Sequence, residues 1–440
     1  MKTAQTEPAA SPLPTFAELL RAFTRIGLLS FGGPAGQIAL MQHEIVDQRK
    51  WIDPGAYLRA LNLCHLLPGP EAQQLATWIG WRLHGVKGGL AAGMLFVVPG
   101  ALVMLGLSLV YVLAAGLTWF AALFLGIKSA VLAIVAQALI RIGKRALGTP
   151  FKLMLALLAF LALALLDAPF PLVILLAALT GAAVGSSRPD WLGAHANPAP
   201  AAELVSARRL AGGTLATVAV WLVIWLAPMA LIAATLGTDH ALWDVGAFFS
   251  RLAVVTFGGA YAVLSYMAQA AVEHYQWLSA GEMADGLGLA ETTPGPLIMV
   301  TQFVGFLAAW RDPAPFSPLG AGLLGAGLTT WVTFAPCFLW IFACAPWMER
   351  LERAKVLQSV LAAVTAAIVG VIAHLALWFA VHVLFRRPEA EVFGLPDVTS
   401  LDWRAAVIAA GSVLLLFGLK RGVIAVLGLA ALAGVALGSL

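Results

Sequence analysis

Long apolar stretches recur along the whole chain, and they limit the possible folds more than any other feature of the sequence. Residues 88–115, 117–141, 318–344 and 356–385 are predominantly apolar, and a membrane-crossing helix needs roughly 20 such residues. Of the 440 residues, 61% are hydrophobic and 11% are charged, whereas about a quarter of the residues in soluble domains are charged. The sequence therefore predicts an all-α integral membrane protein that crosses the bilayer many times.

An internal repeat divides the chain into two parts. Phe31-Gly32-Gly33 returns as Phe257-Gly258-Gly259, an offset of 226 residues (257 − 31). Without a gap, the same offset relates Trp51 to Trp277, and the Pro-Gly-Pro turn at 68–70 to the one at 294–296. Three shared motifs at one fixed spacing indicate two homologous halves.

The repeat predicts four regions along the chain. We expect a polar tail at 1–15, a first repeat with extra spans at 16–186, a linker at 187–213, and a second repeat with terminal spans at 214–440. Inside the first repeat, the pieces 57–67 and 70–83 are each too short to cross a bilayer at about 1.5 Å per helical residue. Broken or re-entrant helices explain them better, and such backbone is tolerated only where protein or water covers it.

Charged residues predict how the two halves are oriented. Cations flank the first hinged segment and acids flank the second: Arg49, Lys50, Arg82 and Lys87 against Glu273, Glu282 and Asp285. Because cytoplasmic loops carry an excess of Lys and Arg, we expect the two segments on opposite sides of the membrane. Five spans between equivalent points would invert the second half; a single crossing by residues 16–46 would instead make the halves parallel. The charges favour inverted repeats, which are common in secondary carriers.

The two Pro-Gly-Pro turns are candidates for an anion site. They consist of Pro68, Gly69, Pro70, Pro294, Gly295 and Pro296. Proline ends one helix and begins the next, so that the first N–H groups of the following helix are free to bind an anion. A purely structural kink is the alternative, but two equivalent turns between unusually short segments favour a substrate site at the membrane midplane.

The Phe-Gly-Gly motifs and two arginines are further candidates. The glycines are Gly32, Gly33, Gly258 and Gly259. Without side chains they would let backbone N–H groups approach a ligand, or let helices pack closely. Arg25 and Arg251 lie in apolar segments, where each would act as a counter-charge for a divalent anion or extend to the membrane surface.

Polar side chains near the turns complete the candidate site. The donors available to an oxyanion are Gln37, Gln73, Gln74, Thr77, Thr292 and Thr293. Glu71 and Glu291 border the two turns, and intramembrane carboxylates suit proton coupling. For Glu71 a helix cap is the alternative role. Lys128, in a predicted span, would either meet an anion or extend to the surface.

Several kinds of chemistry have no support in the sequence. There is no GxxxxGK[ST], GxSxG or HExxH motif, so we predict no catalytic residues, no metal, no cofactor and no ATP-driven step. The net charge of +4 reflects membrane topology rather than nucleic-acid binding. The expected partners are an oxyanion, protons and the lipid bilayer, and a homodimer is left open.

The repeated motifs resemble the chromate ion transporter family in its long, two-domain form. The resemblance rests on residues 31–37, 67–74 and 291–296, and it covers roughly residues 15–440. It implies a secondary transporter that exports chromate, or a similar oxyanion such as sulfate, across the bacterial plasma membrane and confers chromate resistance. The proton gradient or the membrane potential would drive it.

The two halves depart from each other within these motifs. Ala260-Tyr261 stands where the first half has Pro34-Ala35, and Leu297 stands where it has Glu71. The two half-sites are therefore not equivalent. An anion channel with the same site is the main alternative function, and a membrane-embedded enzyme is disfavoured because no nucleophile or metal constellation is present.

Overall fold

A computed structural model describes residues 13–31, 33–114, 116–193, 207–257, 260–352, 354–386, 391–392 and 395–438. Nearly all of these residues are helical, apart from loops and one pair of two-residue strands. The all-α prediction is thus confirmed. Three residues of the predicted site, Gly32, Gly258 and Gly259, lie outside the described residues, as do most of the polar tail and the middle of the predicted linker.

The first half begins with two short broken pairs of helices and continues with longer ones. Its helices are α1 (Phe16–Leu29), α2 (Gly33–Met41, prolonged by a π-helix Gln42–Gln48), α3 (Pro54–Leu66), α4 (Glu71–Ala114), α5 (Thr118–Ala146), α6 (Pro150–Leu166) and α7 (Phe170–Ser187). A 3-10 turn (Pro189–Leu192) follows.

The second half repeats this order after one additional helix. Its elements are α8 (Ala207–Thr235), α9 (Ala241–Val255), α10 (Ala260–Gln269, with a π-helix Ala270–His274), α11 (Ala280–Thr292), a 3-10 turn (Leu297–Met299), α12 (Val300–Arg311), α13 (Pro318–Cys344), a 3-10 turn (Ala345–Trp347), α14 (Met348–Glu352), α15 (Lys355–Leu384), β1 (Glu391–Val392), β2 (Leu395–Pro396), a 3-10 turn (Val398–Ser400), α16 (Trp403–Val413, with a π-helix Leu414–Gly418) and α17 (Val423–Gly438).

Six helices among the described residues are long and apolar enough to cross a membrane: α4, α5, α7, α8, α13 and α15. Helices α6, α16 and α17 are apolar but shorter. Helix α8 begins at Ala207, six residues before the predicted end of the linker at 213. Arg208 and Arg209 are good helix formers, so the helix extends beyond its apolar part.

Equivalent positions in the two halves have the same local structure. Asp53 caps α3 and Ser279 caps α11, each through its own side chain. Lys50 and Gln276, also 226 residues apart, both have a φ of 54°. A π-helix precedes each of these residues. The repeat found in the sequence is therefore a structural repeat, and the prediction of two homologous halves is confirmed.

Helix α4 is folded back on itself rather than being one long span. His84 and Gly85 have non-helical backbone angles, with a φ of 62° at Gly85. They separate a first arm (71–83) from a second arm (86–114). A Cβ added to Gly80 would lie 2.1 Å from the carbonyl oxygen of Gly88, so that only glycine permits this close antiparallel contact.

The first broken segment of each half enters the molecule and returns to the same side. Arg25 lies five residues before the break after α1, and its guanidinium is 3.5 Å from the carboxylate of Glu44, well beyond the break. A chain that continued straight through would separate these residues by more than about 20 Å at 1.5 Å per residue. The Arg251 guanidinium likewise donates to the Tyr275 hydroxyl at 3.0 Å. Both segments are therefore re-entrant hairpins.

Helix α3 and the first arm of α4 form a second re-entrant hairpin on the same face as the first. The Phe16 ring at the start of α1 packs edge-on against the His84 ring, with centroids 5.7 Å apart. Exposed cations cluster at this face: Lys50, Arg82, Lys87, Arg145 and Lys420. We call it the cationic face.

The second pair of hairpins enters from the opposite face. Within the described residues, five passes separate the two pairs: the second arm of α4, then α5, α6, α7 and α8. Tyr111, near the far end of α4, contacts Asp285, near the start of α11, with 2.9 Å between the hydroxyl and a carboxylate oxygen. An odd number of passes inverts the second half, as the sequence predicts.

Lys50→Cys and Gln276→Cys give a matched test of this topology, because the two positions are equivalent and both side chains are exposed. In a chain with its three native cysteines (Cys64, Cys337 and Cys344) replaced by alanine, an impermeant thiol reagent added outside intact cells should label position 276 and not position 50. Equal labelling of both positions from outside would contradict inverted repeats.

Candidate functional site

Two backbone hydrogen bonds join the halves where their helices are interrupted. The N–H of Gly69, in the first Pro-Gly-Pro turn, donates to the carbonyl of Thr256 at 2.8 Å. The N–H of Gly295, in the second turn, donates to the carbonyl of Ser30, also at 2.8 Å. The first turn is thus hydrogen-bonded to the break after α9, and the second turn to the break after α1. The two donors are 226 residues apart, and so are the two acceptors.

The turns need glycine between two prolines. Gly69 has a φ of 118° and Gly295 a φ of 92°, values that favour glycine strongly. Proline has no N–H, so the glycine supplies the donor of each turn. A Cβ on Gly100 of α4 would lie 2.3 Å from the carbonyl oxygen of Pro294. The second turn therefore packs directly against the middle of α4.

The electrostatics of the breaks favour a negatively charged ligand. Carbonyl groups at the ends of α1 and α9 carry the partial negative charge of a helix C-terminus, and the exchanged bonds satisfy Ser30 and Thr256 there. Helices α2 and α4 begin beside these bonds, with first-turn N–H groups that have no intrahelical acceptor. Such N-termini can bind anions, and the anion site at the turns stays a prediction.

Buried amide side chains line the breaks from the first half. Gln37 Nε2 donates to the carbonyls of Gly295 at 2.5 Å and Ser30 at 3.4 Å. Gln74 Nε2 donates to the carbonyl of Pro68 at 2.6 Å. These two predicted residues thus hold the turns in place. Among the described residues, the side-chain oxygens of Gln37, Gln73 and Gln74 are buried without a hydrogen-bond partner.

The predicted hydroxyl donors are engaged within their own helices. Thr292 and Thr293 both donate to the carbonyl of Leu289, at 2.8 and 2.7 Å. Thr77 donates to the carbonyl of Gln73 at 2.9 Å and accepts from its amide at 3.3 Å. In this conformation these hydroxyls offer lone pairs, rather than protons, to their surroundings.

Polar lining comes mainly from the first half. The positions equivalent to Gln37, Glu71, Gln73 and Gln74 are Val263, Leu297, Met299 and Val300. The second half instead contributes Glu291, which is 7% exposed. Glu71 is the first residue of α4 and is half-buried. Its place in the first turn of α4 also suits a capping role, because a carboxylate there stabilises the N-terminus of a helix.

The two predicted arginines lie away from the breaks. Arg25 has a side chain that is 57% exposed and pairs with Glu44, which Arg49 also contacts at 3.3 Å. Arg251 donates to Tyr275 and to the carbonyl of Ala247. Both arginines close the stems of re-entrant hairpins, and in this conformation neither belongs to the group of residues around the turns.

The sequence did not reveal the positions of two residues near the site, Cys337 and Asp285. Cys337 of α13 lies against the first turn, since a Cβ on Gly69 would be 2.9 Å from its Sγ. Asp285, interpreted above as one of the acids that flank the second hinged segment, is instead buried within α11. The helix start at Ser279 is the signal that places Asp285 inside the helix.

Comparison with known sequences agrees with these features. The family model described as "Chromate transporter" matches residues 17–182 and 243–435. A chromate transport protein of Cupriavidus metallidurans is 29% identical, covering 87% of this chain and 86% of its own. A chromate transport protein of Pseudomonas aeruginosa is 31% identical, covering 84% and 82% respectively. No solved structure matches the chain.

Gln37→Leu should destabilise the protein, because the buried carbonyl of Gly295 loses its side-chain donor. We expect the free energy of unfolding to fall by about 1–3 kcal/mol. Gln42→Leu, an exposed glutamine of the same hairpin, is the control and should change little. Thermal unfolding of the purified variants in detergent measures both, and equal unfolding temperatures would remove Gln37 from the support of the turn.

Proposed function

Because the chain belongs to the chromate transporter family, we propose that it exports chromate, or a similar tetrahedral oxyanion such as sulfate, from the bacterial cytoplasm across the inner membrane. The proton gradient or the membrane potential drives the export. The chain is a multi-pass membrane protein of a transporter family, and its proposed role is transport rather than catalysis.

The observation that carries this proposal is the pair of exchanged hydrogen bonds at the helix breaks. They satisfy the carbonyl ends of α1 and α9, and helices α2 and α4 begin beside them with first-turn N–H groups that have no intrahelical acceptor. A dianion that leaves water needs such preorganised donors, and interrupted helices at the interface of two inverted repeats are the usual location of a carrier's substrate site.

The direction of transport is supported by opposite charges at equivalent positions of α3 and α11. Arg59 on α3 corresponds to Asp285 on α11, and the uncharged His65 corresponds to the acidic Glu291. An anion is therefore attracted toward the hairpin that enters from the cationic face, which the positive-inside rule assigns to the cytoplasm. Protons are attracted toward the hairpin that enters from the other face. This asymmetry suits anion export against proton entry.

Coupling is proposed to depend on Glu71 and Glu291. Glu71 lies at the N-terminus of α4, where an anion would bind, and an ionised carboxylate there repels the anion. A protonated one tolerates it. A proton that arrives from the opposite face thus admits the anion, and its release to the cytoplasm accompanies outward release of the anion, so that the two fluxes are linked in opposite directions.

A carrier fits better than a channel. Both Pro-Gly-Pro turns are buried, and the exchanged hydrogen bonds join the two halves there. Transport then requires these bonds to rearrange in each cycle, whereas a channel would need a continuous opening.

Uptake into everted membrane vesicles tests the proposed function. Labelled chromate should accumulate when the vesicle interior is acidified, and a protonophore should abolish the accumulation. Unlabelled sulfate in excess should compete if the site selects tetrahedral dianions by charge and shape. Accumulation that equals that of vesicles without the protein would refute chromate export.

Glu71→Gln should mimic the protonated carboxyl group. In proteoliposomes, we expect chromate flux to persist but to lose its dependence on an imposed pH gradient. Glu18→Gln is the control, because Glu18 also caps a helix in its first turn but lies far from the breaks. If the gradient dependence of Glu71→Gln equals that of the wild type, Glu71 acts as a cap alone.

A further inference from the structure

A second group of ionisable side chains lies between the breaks and the face opposite the cationic one. It consists of Asp285 on α11, Tyr111 on the second arm of α4, and Lys128 on α5. Asp285 lies eight residues before Thr293, a rise of about 12 Å along the helix. The group is thus separate from the turns but on the same re-entrant hairpin as the second turn.

One oxygen of the Asp285 carboxylate accepts a hydrogen bond, and the other accepts none among the described residues. The Tyr111 hydroxyl donates to Oδ2 at 2.9 Å. The Tyr111 ring is fixed by edge contacts with Phe120, Phe124 and Phe303, whose centroids lie 5.1–5.7 Å away. Asp285 is only 7% exposed, and its Oδ1 is buried without a hydrogen-bond partner among the described residues.

Three ionisable side chains surround this carboxylate. The groups that act on Asp285 among the described residues are Lys128, which attracts it, Glu282, which repels it, and Tyr111. Glu282 is itself paired with Arg311 of α12. Lys128 forms no ion pair with Asp285 within 4.0 Å in the described structure. Asp285 therefore has no permanent partner of opposite charge.

The repeat itself does not require this group. The position equivalent to Asp285 in the other half is Arg59, so the same backbone folds without a carboxylate there. A buried carboxylate without an ion partner is costly in a membrane, so that a role outside packing explains its presence better.

We propose that Asp285 is a proton-binding site, distinct from the anion site, through which protons from the opposite face reach the helix breaks. The inference rests on the proposed function and names the entry point of its coupling proton. A proton from external water binds Oδ1 while Tyr111 stays bonded to Oδ2. The neutral carboxyl group then no longer attracts Lys128, and release of the proton inward restores the carboxylate.

Transport assays with the full chain in proteoliposomes test the role of Asp285. Asp285→Asn should reduce chromate uptake driven by a pH gradient by about tenfold or more. It should leave chromate–chromate exchange at equal pH within about twofold of the wild type, because exchange moves no net proton. Asp402→Asn is the control: Asp402 is equally buried, at 8%, but pairs with Arg386 and Arg404, and both activities should persist.

Tyr111→Phe provides a milder variant that keeps the carboxylate. Without the donated hydrogen bond, the ionised form is less favoured, so the pH of half-maximal gradient-driven uptake should move upward. The inference is overturned if Asp285→Asn retains gradient-driven uptake, if it loses uptake and exchange equally, if Tyr111→Phe has an unchanged pH profile, or if a sodium gradient replaces the proton gradient.

Infrared spectroscopy separates this inference from the proposed function, since it requires no transport. A pH titration of the purified protein should show a band from a buried, protonated carboxyl group that is lost in Asp285→Asn and kept in Asp402→Asn. If the wild type shows that band but moves no chromate, the proton site stands and the proposed substrate falls. Identical spectra for wild type and Asp285→Asn would overturn the proton site.

Discussion

The exchange of two backbone hydrogen bonds between the halves is the constraint on which the rest of the structure depends. Carbonyl groups at interrupted helix ends cannot stay unsatisfied within a bilayer, where each would cost several kcal/mol. Ser30 and Thr256 find their donors in Gly295 and Gly69, since the flanking prolines have no N–H. Each half therefore needs the other, and the re-entrant hairpins must approach from opposite faces for their breaks to meet.

A symmetric backbone here carries asymmetric chemistry. The hinge angles, caps and π-helices repeat between the halves, but the amides of Gln37 and Gln74 have only apolar counterparts in Val263 and Val300. The symmetric backbone gives opening toward either face of the membrane a similar geometry. The different side chains give the two open states different energies. Such asymmetry sets how tightly each face binds substrate and protons, whereas the coupled gradient sets the direction of net transport.

Much of this fold was accessible from the sequence, since its determinants are local or repeated. The breaks follow from Pro-Gly-Pro, and the inversion follows from the number of spans and from the loop charges. Contacts between distant residues were not accessible. Tyr111 and Asp285 are 174 residues apart, and no periodicity connects them. For Arg25 the sequence left open a counter-charge for the anion and an anchor at the membrane surface. Glu44, on the other side of the break, binds its side chain in this conformation, and only the reversal of the chain reveals this pair.

Each half supplies the hydrogen-bond donor that the break in the other half needs, and this limits how such a molecule can be assembled. A half-length polypeptide with a single Phe-Gly-Gly and a single Pro-Gly-Pro motif would hold one unmatched donor and one unmatched acceptor. A second copy inserted the same way up would place both motifs on the same side, where they do not meet. Only a copy inserted upside down restores both bonds. Duplication followed by fusion, with the extra pass of α8 (Ala207–Thr235) giving the odd number needed, makes this antiparallel pairing permanent in one chain.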